Sequence, residues 1–368
     1  MNDTNARSNR PQIKQNAGFV RAKMPNDRIE KSTAKALLIF LAHALVYLTT
    51  FWAIVLVPFW MVKVAAILVN GLFIGTFFVV GHDACHGSFV RQKWLNQLLG
   101  RLSLTPSLNP FTAWEVSHNQ FHHGYTNFKQ NDVYVPLTKK EYEALSDWGK
   151  LVQRFYRTPI GIIFYYQIEV WWKQLIFPTK HNRERMNFNI FLFDLGLMIS
   201  YVGLKIFVLY WFSPIFANYF QVPQQPFLLN LLLAIILPFT VWITLYVYIT
   251  FLQHTHPQVA WFDKKDEWNF FRGQVEGSVH ILTSGLLRIV TNNVLEHAAH
   301  HVDVRIPLYN LRESQSALKT EFPKAIRTQK GIFLAAFRTL KVCKLYDYDN
   351  HCWTDFEGNV TSKIEFVK

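Results

Sequence analysis

Cysteine is nearly absent. Three residues in 368, Cys85, Cys343 and Cys352, give neither a disulfide framework nor a paired CxxC metal spacing, which argues against thiol chemistry. Charged residues are also scarce, at 17% of the chain, while 50% hydrophobic and 16% aromatic residues rule out a disordered polymer. Acid is the scarcer sign. The 25 Asp and Glu against 38 Lys and Arg leave a formal charge of +13, a balance that points to nucleic acid or anionic lipid before any motif is considered. What the chain has in abundance is Phe (32) and His (14).

Four apolar runs are long enough to cross a hydrocarbon core, which takes roughly 20 helical residues. Residues 36–57 carry no charge, and residues 64–80 follow after a short connector; together they read as a helical hairpin. Residues 189–212 and 227–252 read as a second hairpin, with Asp194 and Lys205 as their only charges, placed towards the ends where side chains can snorkel. The first run is too long, and lacks the cleavage pattern, for a secretory signal. A fifth stretch, 160–177, places Gln167, Glu169, Lys173 and Gln174 on part of its circumference and is expected to lie in the interface plane.

Basic residues are concentrated before the first run, from Arg7 to Lys35, whereas the two short connectors carry only Lys63. The positive-inside tendency then sets the N-terminus in the cytoplasm, and four crossings return the chain there at Gln253. The excess charge is accounted for by a lipid-facing cytoplasmic surface, so nucleic acid loses its support. The fold expected is an all-α, multi-pass integral membrane protein with a cytoplasmic helical cap. Residues 1–35 form a basic cytoplasmic segment, 36–312 the membrane domain and 313–368 a cytoplasmic tail, the two ends adding only basic surface.

Three windows hold eight of the histidines: His82 and His86 in HDACH, His118, His122 and His123 in HNQFHH, and His297, His300 and His301 in HAAHH. All fall on one side under the four-span topology, although the spans come from hydropathy alone. Spacings of three and four bring imidazoles onto one helical face, with a further one beside it. Eight imidazoles exceed the four ligands of a zinc ion and are about the supply for two ions; the nitrogen donors suit iron or copper. No HExxH occurs, which argues against a zinc protease. His254 and His256 in FLQHTHP meet the same side as the fourth run ends; His254 is the stronger candidate ligand and His256 the weaker. Asp83, Asn119 and Glu296 are candidates to fix imidazole tautomers from behind. His43, deep in the first run, is expected to pack; His181, His280 and His351 fall outside any cluster.

The order and spacing of the three boxes, with span pairs between them, resemble the membrane-bound fatty acid desaturases over about Ala36 to Leu311. FLQHTHP, WNFFRG and HAAHH running into RIPLYNLR resemble the acyl-lipid omega-6 (delta-12) group; Ala84 and Cys85 stand where that group usually has Cys and Gly. The resemblance implies a di-iron centre on the box histidines that uses O2 and two electrons to desaturate a lipid-linked, monounsaturated chain in a bacterial plasma membrane, thylakoid or endoplasmic reticulum. It also implies an external electron donor, ferredoxin or cytochrome b5, since the chain shows no flavin fingerprint, ferredoxin cysteine run or HPGG haem motif. A hydroxylase, acetylenase or conjugase of the same superfamily, or a desaturase of other regiospecificity, is the alternative. A non-catalytic metal-binding or transport protein is more distant, because its hallmark would be ionisable residues at mid-span.

Overall fold

The computed structural model describes residues 16–129 and 133–366. It is mostly helical, and four helices are long and apolar enough to cross a membrane: Thr33–Leu56, Trp60–Cys85, Phe188–Tyr219 and Phe227–His254. Their surfaces invert the soluble pattern. On the first, Leu38, Leu41, Leu45 and Leu48 form an exposed stripe at helical spacing, as a lipid-facing wall requires. The second helix is the central one, buried along most of its length from Ile74 to Cys85.

Small and polar side chains set how closely these helices approach. Asn70 Nδ2 on the second helix donates to Tyr47 O (2.8 Å) and Thr50 Oγ1 (2.9 Å) on the first. Gly75 lies flat against Tyr246 of the fourth helix, where a Cβ would sit 1.9 Å from ring carbon Cε2. A side chain at residue 75 would therefore push the two helices apart.

The two charges in the spans do not snorkel as expected. Asp194 Oδ1 accepts from Arg101 Nε at 2.8 Å, and its Oδ2 accepts from the backbone N–H of Thr112 at 2.7 Å. Lys205 lies in the middle of its helix, which continues through Pro214 to Tyr219. Its ammonium donates to Tyr47 OH and Ala234 O, each at 3.1 Å. The apolar run is expected to end at 212; the helix continues past it because, in an apolar setting, the ladder runs on around the N–H that Pro214 lacks.

Residues outside the spans do more than add basic surface. Arg21 Nε donates to Val302 O at 2.8 Å, and Arg28 pairs with Asp303 at 3.3 Å, so the N-terminal segment grips the end of the His297–Val302 helix. Beyond Glu313 the chain is folded: Leu345–Asp347, Cys352–Thr354 and Val360–Lys363 form an antiparallel sheet around fully buried Trp261 and Trp353. A second, parallel pair joins Val279–Leu282 to Arg327–Lys330. The expectation of an all-α chain with a plain tail is corrected accordingly; these strands are only three or four residues long, too short for period-two alternation to register.

The stretch Gly161–Tyr165 runs into a π-helix over Tyr166–Ile176. Ile162, Tyr166 and Val170 face inward, while Ile160, Phe164, Ile168 and Trp172 form an exposed apolar row.

Candidate metal centre

The first histidine box occupies the last turn of the second apolar helix, which stops at Gly87 with φ of 64°, a left-handed position that glycine adopts without strain. His82 and His86, four apart, share a face. The second box lies on a π-helix over Ser117–His122, in which the His123 N–H bonds the His118 carbonyl. The i→i+5 pattern of that turn aligns His118 with His123 and turns His122 elsewhere. The third box is the helix His297–Val302, where His297 and His301 align and His300 faces away.

These local twists sort nine histidines into two groups. His82, His86, His118, His123 and His300 converge in one, and His122, His254, His297 and His301 in the other; within each group the candidate ligand atoms all lie within 4.8 Å of one another. The groups share a wall, with the His123 and His301 rings stacked at 4.3 Å. Every predicted box histidine, and His254, is in one of them. His256 is not: its Nδ1 accepts from the Gln258 N–H at 3.0 Å, and burial pushes its pKa down to about 4.

Protonation of the second group follows from acceptors that carry no proton of their own. His254 Nδ1 donates to Gly277 O at 3.2 Å. Gln274 Nε2 donates to His123 O at 2.8 Å, which orients its Oε1 as the acceptor for His301 Nδ1 at 2.9 Å. With Nδ1 protonated in both rings, the Nε2 atoms of neutral His254 and His301 present lone pairs. Both face His297 Nε2, at 2.7 and 2.9 Å. One nitrogen can donate to only one of them, so at least one pair of lone pairs meets at hydrogen-bonding distance. A cation between the rings relieves that repulsion.

The first group shows the same crowding. His123 Nε2 faces His118 Nε2 at 3.0 Å and His300 Nε2 at 3.1 Å. Buried His86 Nε2 and the Nδ1 atoms of His82 and His300 have no hydrogen-bond partner among the described residues. Burial first, and then the neighbouring imidazoles, pushes His86, His118, His123, His297, His300 and His301 well below the ordinary histidine pKa. Neutral imidazoles aimed at one another in a buried site are ready-made ligands, and the donor set fits two metal ions.

The residues behind the ligands differ in part from those expected. Asp83 Oδ2 accepts from the Leu308 N–H at 2.6 Å, and its Oδ1 lies 3.8 Å from His82 Nδ1. Asn119 donates to Cys85 O at 3.0 Å. Glu296 pairs with His280 at 2.8 Å. His351, also without a partner in sequence reasoning, meets Glu267 at 3.1 Å. Among the groups that touch the rings are Gln274, the Gly277 carbonyl and Thr126, whose Oγ1 is 3.2 Å from His301 Nδ1. Spacing carries no signal for these, since 148 residues separate Thr126 from Gln274.

An apolar cavity of about 470 Å³ abuts both groups, touching His82 and His118 on one side and His122, His254 and His297 on the other. Phe78, Trp114, Tyr166, Val170, Leu175 and Ile249 wall it. His43 takes no part: it packs edge-on against Phe73 and Phe77.

Residues 58–331 match the family profile described as fatty acid desaturase. Among curated proteins, the chain is 29% identical over 315 residues to the sn-1 acyl-lipid omega-3 desaturase (ferredoxin) of Nostoc sp. (strain 36), covering 82% of this chain and 80% of the relative. It is 26% identical over 312 residues to the sn-1 oleoyl-lipid 12-desaturase of Picosynechococcus sp., covering 82% and 81%. It is likewise 26% identical over 302 residues to a fatty acid desaturase of Bacillus subtilis, covering 81% and 79%.

Proposed function

The chain belongs to the fatty acid desaturase family, and from that premise we propose that its nine clustered histidines hold two irons that desaturate a lipid-linked acyl chain. It is an oxidoreductase acting on acyl lipids. The observation that carries the metal assignment is the sorting of those histidines into two groups, one partly and one fully buried, that both border one apolar cavity.

His82, His86, His118, His123 and His300 hold one ion, and His122, His254, His297 and His301 the other. When bound, the irons supply the oxidising power that, with O2, two electrons and two protons, removes two hydrogens from adjacent methylenes and yields two waters. The protein's own residues do the rest. Phe78, Trp114, Tyr166 and Ile249 fix the chain against the histidines and exclude water. Gln274 and the Gly277 carbonyl keep Nδ1 protonated on His301 and His254, so that Nε2 stays a ligand. The electrons come from outside, from ferredoxin or cytochrome b5. Ferredoxin is supported by the names of omega-3 relatives from Nostoc and Synechocystis, and the +13 balance favours an acidic donor.

The chain crosses the membrane as two hairpins, with both termini and the metal centre cytoplasmic. His82 and His254 end the second and fourth apolar helices within one site, which supports a common side for those two ends. The 160–177 stretch lies in the interface plane, and its exposed apolar row supports this.

We assign delta-12 (omega-6) regiochemistry on an oleoyl-type chain, supported by oleoyl-lipid 12-desaturase relatives. The omega-3 names at 29% identity favour omega-3 as the second reading. Expression in a host that makes monounsaturated but not diunsaturated lipids, followed by mass-spectrometric location of any new double bond, decides between them. A bond at carbons 12 and 13 upholds the assignment; an omega-3 bond, a hydroxyl or a triple bond overturns it.

A further inference from the structure

The cavity has a buried end and an open end. Its histidine end is closed: His82, His118, His122, His254 and His297 are all buried. At the other end Thr179 and His181 are exposed, and Gln174 and Asn182 are half-buried. These residues continue no apolar wall. They form a polar rim on and beside the short helix Lys180–Arg183, only a few residues before the apolar helix that starts at Phe188. Exposed Trp172 and Phe177, with rings 4.7 Å apart, lie just before the same rim. Aromatics flanking the start of a span mark headgroup depth, so the cavity opens at the level where lipid headgroups lie.

The rim is also cationic. Lys180, Arg183 and Arg185 surround His181 and Asn182 in sequence, and all three are exposed. Phe121, a cavity residue, fixes part of this cluster in space: the Arg185 guanidinium stands 5.1 Å over its ring, and His181 packs against it at 5.4 Å. Arg185 meets no carboxylate among the described residues; its guanidinium donates to Gln120 Oε1 at 3.5 Å. Lys180 approaches Glu184 at 3.9 Å, a weak surface pair that leaves its charge largely available.

We propose that this rim is a headgroup site for an anionic glycerophospholipid, with the phosphate on Lys180, Arg183 and Arg185 and the acyl chain running past Phe121 to the histidines. This rests on the reading of the cavity as the acyl channel and adds the substrate's head. An acyl thioester of coenzyme A also carries phosphates. The opening beside the first turns of a membrane helix, between exposed aromatics, favours a lipid that stays in its leaflet. Each cation near a membrane surface contributes about fivefold in binding, so the cluster gives a preference of well over tenfold for an anionic over a zwitterionic headgroup.

The test uses the full chain, wild type and the K180Q/R183Q/R185Q variant, in two measurements. Native mass spectrometry in detergent reads binding of dioleoyl phosphatidylglycerol, dioleoyl phosphatidylcholine and oleoyl coenzyme A. Turnover in aerated vesicles containing both lipids in equal amounts, supplied with reduced ferredoxin and reduced cytochrome b5, reads the ratio of diene formed on each. Phosphatidylglycerol is expected to bind at least tenfold more tightly than phosphatidylcholine and to be desaturated first, both preferences falling below about twofold in the variant while phosphatidylcholine binding persists. Equal binding of the two lipids by the wild type, or a preference that survives in the variant, overturns the proposal. So does oleoyl coenzyme A that outcompetes phosphatidylglycerol for the rim. A wild type that binds phosphatidylglycerol with the preference but forms no diene supports the headgroup site and refutes the acyl-channel reading.

Discussion

Replacing Gln274 by Leu is predicted to weaken iron binding without unfolding the protein. Gln274 is 3% exposed and makes three bonds that no single apolar side chain replaces: it donates to His123 O and accepts from His301 Nδ1 and Thr126 Oγ1. Leu fills nearly the same space. It leaves the His123 carbonyl without that donor, a buried loss of about 1–3 kcal/mol. His301 keeps only the longer 3.2 Å contact to Thr126, so its tautomer is less firmly held. Loss of such an outer partner typically costs about 10–100-fold in metal affinity or activity. Gln274→Glu retains the acceptor for His301 and loses the donor to His123, so it should retain more iron than the Leu variant. The assay is iron per chain by elemental analysis across a chelator titration, with diene formation measured in parallel. If the Leu variant holds iron as tightly as wild type, Gln274 does not set the His301 tautomer and the protonation argument fails.

Asp194→Ala removes the carboxylate from the buried Arg101 pair and from the Thr112 N–H, and should cost about 3–5 kcal/mol; a thermal melt in detergent that moves by less than a degree or two would contradict it. His256→Ala should leave iron content and turnover at wild-type levels, because the imidazole lies outside both groups; loss of one iron would return His256 to the ligand set. Gly75→Ala puts a methyl 1.9 Å from the Tyr246 ring and should destabilise by about 1–3 kcal/mol. Because Tyr246 borders the cavity, diene yield should fall as well, and an unchanged melt and yield would show that the two helices are not packed this closely.

The spans and the histidine boxes were legible because both depend on local periodicity. A run of apolar residues and an i,i+4 pair report the same helix whatever it packs against. The division of the boxes into two groups was not legible, because it depends on the π-helical turn that pairs His118 with His123 and on His300 facing away from His297 and His301. Gln274, Thr126 and the Gly277 carbonyl were hidden for a different reason. They meet the rings across long stretches of chain, and a backbone carbonyl leaves no mark in a sequence. Lys205 was placed near an end because the apolar run was bounded at 212 while the helix continues to Tyr219, and the folded C-terminal segment was missed because its strands are too short for alternation to show. His280 and His351 found their partners, Glu296 and Glu267, only through tertiary contact.

The central claim is that two groups of histidines hold two irons beside an acyl cavity. Its most direct test is the metal content of the purified, full-length protein by elemental analysis, normalised to chain concentration. The account predicts two irons per chain, and loss of both iron and product on His122→Ala or His300→Ala. Zinc in place of iron, a single iron, or full activity in a preparation stripped of metal would contradict it.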